Sequence, residues 1–260
     1  MADRQHARND EVPWSDFDAD GYWKHNYASV LPEDAEIIRY ASDFLIRARA
    51  GKPRIPRAVD VGAGTNLYPA LMMLPWIEGL VFTEYARANI DWLAENLTDE
   101  PGEWAWQPFW NLVANLPGYR DVEQPRSQLA ASSREIRLLS VFDLPRQEWD
   151  LGSMFFVADG MSSEEAEFEW AVRSFLGALT PGAPFMMAFM EGSAGYDVSG
   201  VRFPGVRVTP GSLDELLARL PVTGTGRLRT NNTVRRLRLG YDAMLLVTGY
   251  VADDGTGPSD

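Results

Sequence analysis

The residues best suited to chemistry in this chain are Asp60, Gly62 and Gly64, in the run Val59-Asp60-Val61-Gly62-Ala63-Gly64-Thr65-Asn66-Leu67-Tyr68. Glycine at those two positions lets the backbone approach a ligand where a Cβ would collide. A third glycine at position 67 would complete a dinucleotide fingerprint, and Leu67 stands there instead. A carboxylate ahead of the first glycine opposes phosphate and attracts cations, so Asp60 suits a ligand with a positive amino group. Twenty residues after Gly64 comes Glu84, where a carboxylate can take both hydroxyls of a ribose. Ammonium, sulfonium and ribose diol occur together in S-adenosylmethionine, the cofactor these residues lead one to expect.

Composition excludes other chemistries. The 260 residues include no cysteine, so disulfides, thiol catalysis and cysteine metal sites are out. Two histidines, His6 and His25, are too few for a histidine-based centre, and no metal is expected. A formal charge of −13 repels a phosphate backbone, which makes nucleic acid a poor partner and a small-molecule acceptor a good one. The one basic cluster, Arg227, Arg229, Arg235, Arg236 and Arg238, alternates with apolar residues and reads as a solvated strand face. Apolar runs such as Met154–Ala158 fall far short of the ~20 residues that span a bilayer. The first 30 residues are polar, without the basic-then-apolar order of an export signal, so a cytoplasmic protein is expected, with a monomer compatible.

The elements that must position these residues follow from periodicity. Glu33–Ala50 carries apolar residues at helical spacing and stops at Gly51. Arg57–Val61 and Leu80–Thr83 read as strands, the second followed by a helix over Ala86–Leu97. Ile136–Val141 and Leu151–Val157 are further strands, and Ser162-x-x-Glu165 reads as a capping box opening a helix that ends near Thr180-Pro181-Gly182. A strand over Ala183–Met190 and a helix over Ser212–Leu220 come next. Val222–Arg229 and Tyr241–Val251 close the chain as a strand pair without a helix between them. Alternation of this kind predicts an α/β fold: a Rossmann-like, seven-stranded, mainly parallel sheet with helices on both faces, the last strand antiparallel, and an N-terminal helical lid. Residues 1–13 and 253–260 read as loose ends. Residues 14–252 read as a single domain, with 14–50 the lid and first helix and 57–252 the core.

These motifs resemble one known family, the small-molecule N-methyltransferases that include the nicotinamide, phenylethanolamine, indolethylamine and thioether enzymes. Tyr22-x-x-x-Asn26-Tyr27 looks like the family's N-terminal segment. Asp60-Val61-Gly62-Ala63-Gly64 with Tyr68 is similar to its D-x-G-x-G-P-T-x-Y, and Thr83-Glu84-Tyr85-x-x-x-Asn89 to its T-D-[YF]-x-x-x-N. Glu100-Pro101 through Trp106 resembles its E-P-x-x-x-x-W. Thr65 and Asn66 depart from the family's Pro-Thr, and Glu84 from its Asp.

The resemblance implies methyl transfer from S-adenosylmethionine to an amine or heteroaromatic nitrogen. It places Tyr22, Tyr27, Asp60, Gly62, Ala63, Gly64, Asn66, Tyr68, Glu84, Tyr85, Asn89, Asp143, Leu144, Phe155 and Phe156 on the cofactor, with Tyr27 packed over it and Asp143 near the adenine amino group. Glu191-x-Ser193-x-x-Tyr196 matches the substrate-side segment, with Ser193, Tyr196 and Asp242 on the acceptor; the family's carboxylate at the start of the last strand falls on Leu239 or Gly240 here. Asp159 and Glu191, at the ends of neighbouring strands, are the expected catalytic pair, orienting an ammonium and accepting its proton. Plainer readings stand beside these. Tyr22 and Tyr27 suit a hydrophobic staple, Asp159 a helix start, Glu191 an exposed loop, and Trp104, Trp106 and Trp110 one buried face of a short helix. Methylation of oxygen or carbon, or a non-catalytic ligand-binding role, are the competing functions.

Overall fold

The computed structural model describes residues 7–231 and 240–253. The expectations at Leu239, at Arg235, Arg236 and Arg238, and for 254–260 lie outside the described residues. β1 (Ala58–Val61), β2 (Leu80–Glu84), β3 (Ser133–Leu138), β4 (Leu151–Phe155) and β5 (Pro184–Glu191) run parallel. A short hairpin, β6 (Tyr196–Val198) and β7 (Val201–Phe203), follows. β8 (Val222–Arg229) and β9 (Ala243–Val251) complete a seven-stranded sheet in the order β3-β2-β1-β4-β5-β9-β8, with β9 antiparallel to both neighbours. From β1 the chain winds outward to β2 and β3, then returns to β4 on β1's other side. The switch point therefore lies at the carboxyl ends of β1 and β4, where an open α/β sheet binds its ligand.

Alternate residues of each strand feed two cores, as the two-residue strand period requires. Phe82, Leu151, Met186 and Leu246 pack with Ile37, Ala41 and Leu45 of α2 (Pro32–Arg49), and with Leu71 of α3 (Tyr68–Met73). Val59, Met154, Phe185, Met187 and Val247 pack on the other face with Phe168, Val172 and Phe175 of α7 (Glu165–Ala178), and with Leu213 and Leu216 of α8 (Pro210–Leu217). Every residue of β5 is buried. Side chains the size of Phe185 and Phe189 each contribute roughly 1.5–3 kcal/mol by leaving water.

The remaining helices are α1 (Ala19–Asn26), α4 (Arg87–Asn96), α5 (Gln107–Asn111) and α6 (Pro125–Ser132). Trp106 and Trp110 are buried around α5, with Trp106 packed on Phe109 at 4.8 Å between ring centroids. Several boundaries differ from those expected, each for a local reason. β4 stops at Phe155 because Phe156 takes a left-handed conformation, φ +60°. β3 stops at Leu138, and the Ser140 hydroxyl then accepts from the Phe142 N–H to turn the chain. α7 begins at Glu165 without the capping box, because the Ser162 hydroxyl accepts from the Glu164 N–H instead. α8 starts two residues early, where Thr209 and Ser212 cap each other around Pro210.

The β6–β7 hairpin turns through Ser199 (φ +47°) and Gly200 (φ +87°), the conformation of a tight two-residue hairpin. Residues 7–13, expected to be loose, are tied to α7 and the turn before it: Ala7 N–H donates to the Ser163 hydroxyl at 2.8 Å, and Asn9 N–H to Glu167 Oε2 at 2.9 Å. No helix of the described residues is long and apolar enough to cross a membrane.

Candidate active site

A cavity partly open to solvent lies at the switch point. Its floor is the turn after β1. Gly62 and Gly64 adopt φ +61° and +55°, which side chains rarely tolerate. At Gly62 a Cβ would also stand 2.5 Å from Val157 Cγ2. The turn is locked by Ala63 N–H donating to the Thr83 carbonyl at 3.2 Å, and by Gly64 N–H donating to Glu84 Oε2 at 2.9 Å. Asn66 Oδ1 then accepts from the Tyr68 N–H at 3.2 Å, where α3 begins.

Glu84 closes β2 and lines the cavity, nearly buried. Its other oxygen, Oε1, accepts from the N–H groups of Tyr85 (2.7 Å) and Ala86 (2.8 Å). Burial pushes its carboxyl above the usual range, opposed by these backbone donors, the Gly64 N–H and Asn89. Asp60 sits behind the turn, wholly buried, its Oδ1 accepting from the Ser153 hydroxyl at 2.7 Å. Burial raises it to about 8, with Glu84 adding to the rise and Ser153 opposing it. A cation brought to the turn would reverse that cost.

Over the cavity lies α1, capped by Asp18, which accepts from the Gly21 N–H at 2.9 Å and from the Ser199 hydroxyl of the β6–β7 turn. This couples the N-terminal helix to the β6–β7 hairpin. Tyr22 and Tyr27 both line the cavity. Tyr22 packs edge-on against Tyr196 at 5.8 Å, and Tyr27 against Trp106 at 5.7 Å and Tyr68 at 6.1 Å. Phe155, Phe156, Val157, Gly160 and Met161 form the wall beyond β4, and Leu139, Ser140 and Val141 the wall beyond β3.

Of the residues singled out in the sequence, Tyr22, Tyr27, Gly62, Ala63, Gly64, Asn66, Glu84, Tyr85, Asn89, Phe155, Phe156 and Tyr196 line this one cavity. The structure does not bring the others to its wall. Asp60 and Tyr68 lie directly behind it, the Tyr68 ring stacked on Phe109 at 6.0 Å. Asp143 is exposed in a turn just past Val141, and Leu144 adjoins it. Asp159 is fully buried, with Oδ2 accepting from the Met190 N–H at 2.9 Å. Glu191 is ion-paired with Arg229 across the sheet at 2.6 Å. Ser193 is buried beside Gly195, and Asp242 is exposed at the entrance to β9, its N–H donating to the Glu191 carbonyl.

Asn9, Trp14 and Phe17 also line the cavity, and no motif marked them. The crowding of aromatics before the first long helix is the only sequence signal for Trp14 and Phe17, and Asn9 has none.

The wall fits a polar cofactor. Thr65 Oγ1, Asn66 Nδ2, Thr83 Oγ1 and Asn89 Oδ1 are buried on it without a hydrogen-bond partner among the described residues. Leaving such groups unmet costs about 1–3 kcal/mol each, a cost a bound hydroxyl-rich and amino-acid-bearing molecule removes.

Residues 6–223 match the model of the NNMT/PNMT/TEMT family. No curated protein matches the sequence. Among solved structures, N-methyltransferase NodS from Bradyrhizobium japonicum WM9, in complex with S-adenosyl-L-homocysteine, is similar with a TM-score of 0.53 at 12% identity, over 90% of this chain and 93% of its own. The 1,6-didemethyltoxoflavin-N1-methyltransferase of Burkholderia thailandensis, bound to 1,6-didemethyltoxoflavin and S-adenosylhomocysteine, is similar with a TM-score of 0.50 at 16% identity, over 85% of this chain and 80% of its own. At such identities the likeness is one of fold, and the family match carries the assignment. The chain belongs to the NNMT/PNMT/TEMT family and is an S-adenosylmethionine-dependent small-molecule methyltransferase.

Proposed function

We propose that the methyl group goes to a nitrogen of a small molecule, and to a heteroaromatic nitrogen in preference to an aliphatic ammonium. The observation that carries this reading is the charge of the wall. Among the described residues Glu84 is the one charged side chain lining the cavity, and its oxygens are engaged by backbone N–H groups at the glycine-turn end. A ring nitrogen offers its lone pair without first losing a proton, so no general base is required at the acceptor end. The bound cofactor supplies a sulfonium methyl, transferred with the carbon–sulfur bonding pair left on sulfur.

In this reading the chain's own contribution is positioning. Gly62, Ala63, Gly64 and Asn66 hold the amino-acid end of the cofactor, with Asp60 behind them. Glu84 takes the ribose hydroxyls beside Asn89. Tyr85 flanks the adenine end, and Asp143 and Leu144 follow the wall residues Leu139, Ser140 and Val141 without reaching it. Tyr22 and Tyr27 cover the cofactor, Tyr68 supports Tyr27, and Phe155 and Phe156 form the floor under the methyl group. Holding donor and acceptor in contact while excluding water supplies roughly 7–11 kcal/mol of barrier reduction.

Asp159 and Glu191 act at one remove. Asp159 fixes the end of β5 through Met190, and Glu191 ties β5 to β8 through Arg229. Ser193 and Asp242 shape the loops that carry Tyr196. We also read residues 14–252 as the methyltransferase domain of a cytoplasmic protein, with Asn9 of the preceding segment added to its cavity wall. The test is a screen with methyl-labelled cofactor over heteroaromatics, aliphatic amines, phenols and carbon acids, with the site of the label read by NMR. Label found only on oxygen or carbon would sink the nitrogen assignment.

A further inference from the structure

Asn9 is about 93% buried by its 7% exposure, yet it lines the cavity. Its position is held from two sides. Its backbone N–H donates to Glu167 Oε2 at 2.9 Å, while Glu167 Oε1 accepts from Arg8 Nε at 3.3 Å. Although burial opposes it, hydrogen bonds from Ser162, the Asn9 N–H and Arg8 hold the Glu167 carboxyl below its usual range, so this anchor stays charged at neutral pH.

The orientation of the amide is set as well. Trp14 Nε1–H is shared between the Asn9 backbone carbonyl and Asn9 Oδ1, each at 3.1 Å; a tryptophan N–H can only donate, so the amide keeps this contact with Oδ1 toward Trp14 and the NH2 turned away from it. That NH2 has no hydrogen-bond partner among the described residues. The neighbouring wall is aromatic: Trp14, Phe17 and Tyr196 each pack on Phe203, and Tyr22 packs on Phe17 and Tyr196, with centroids 5.2–5.8 Å apart.

Resting on the nitrogen reading above, we infer that Asn9 is a specificity-determining residue, whose amide donates to a hydrogen-bond acceptor on an uncharged, planar methyl acceptor held among Trp14, Phe17, Tyr22 and Tyr196. Aromatic faces favour a flat ring. A buried donor rejects an analogue that leaves it unpaired. With no charged group on this part of the described wall, an ammonium would have only the ring faces to offset its lost hydration, with no carboxylate to take its proton.

The test uses matched probes on the full chain: 3-acetylpyridine, whose carbonyl accepts a hydrogen bond, and 3-ethylpyridine, of the same shape without it. Binding to protein saturated with S-adenosylhomocysteine is read by NMR titration, and turnover by label transfer. Wild type is expected to bind and turn over 3-acetylpyridine better than 3-ethylpyridine. Asn9→Asp retains the oxygen that Trp14 needs and removes the donor, so it should lose roughly tenfold on 3-acetylpyridine relative to 3-ethylpyridine, the effect of one buried hydrogen bond. Asn9→Leu should show the same relative loss, with S-adenosylhomocysteine affinity unchanged in both variants.

Equal losses on the two probes, no loss, binding of neither, or preference of the wild type for phenylethylamine over both would each overturn the proposal. The phenol pair 3-hydroxyacetophenone and 3-ethylphenol separates the two readings. Asn9-dependent discrimination with methyl found on oxygen would sink the nitrogen assignment and leave the role of Asn9 intact. Nitrogen methylation without discrimination would do the reverse.

Discussion

Glu84 Oε2 accepts a hydrogen bond from the Gly64 N–H at 2.9 Å, joining the residue that closes β2 to the second glycine of the turn after β1. The carboxylate therefore shapes the turn as well as presenting itself to the cavity. Glu84→Ala removes a charge-assisted partner from the N–H groups of Gly64, Tyr85 and Ala86 together with the proposed ribose contacts. Such bonds are each worth roughly 1.5–3 kcal/mol, so S-adenosylhomocysteine affinity should fall at least tenfold by calorimetry. Wild-type affinity in the variant would remove Glu84 from the binding site.

The two ends of the glycine scale can be compared within this one chain. Gly62→Ala meets both a positive φ and Val157, and is expected to lower stability by about 1–3 kcal/mol and to weaken cofactor binding. Gly177→Ala, in α7 with open space around the new methyl, should raise stability by about 0.5–1 kcal/mol. Urea unfolding of both variants checks the pair, and a neutral Gly62→Ala would contradict the close approach at the turn.

Two buried carboxyls make stability depend on pH. Asp34 in α2 faces the Tyr68 hydroxyl and the Leu31 N–H; burial, aided by Glu33, raises it to about 7. Asp60 is raised to about 8. A carboxyl raised in the folded state favours folding fully only below its unfolded value near 4, and that contribution is lost as pH climbs through 7 and 8. Asn at position 34 stays neutral, so Asp34→Asn should gain thermal stability over wild type between pH 5 and pH 8.5, by about 2 °C or more. A difference that does not change with pH would show that Asp34 carries no such burden.

At Asp159 the direct and indirect roles make different predictions. Asn keeps an oxygen for the Met190 N–H, so Asp159→Asn should stay within a few-fold of wild-type turnover, while Asp159→Ala should cost about 1–3 kcal/mol of stability by leaving that N–H buried and unpaired. If Asp159→Asn instead abolished turnover with stability and cofactor affinity unchanged, Asp159 would be a proton acceptor for the substrate.

What the sequence determined by itself is local. The turn Gly62-Ala63-Gly64 between a buried strand and a helix, and a carboxylate at the end of the next strand, occupy neighbouring strands of a parallel sheet. Spacing alone therefore sends Asp60, Gly64 and Glu84 to one place. Strand and helix periods likewise placed α2, β1, β2, β5, β8 and β9 within a few residues.

Only the tertiary structure decided which side chains reach the cavity wall. Asn9 is there because Glu167, 158 residues away, anchors its N–H, and no local pattern encodes that contact. Asp159 turns to the Met190 N–H and Glu191 to Arg229, because each buried carboxylate needs a partner and the one within reach belongs to a strand far off in sequence. β4 ends where Phe156 goes left-handed, a conformation that residue identity disfavours and packing imposes. Periodicity reports which face of an element is buried, whereas the direction a polar side chain takes depends on which donor or acceptor the rest of the fold brings to it.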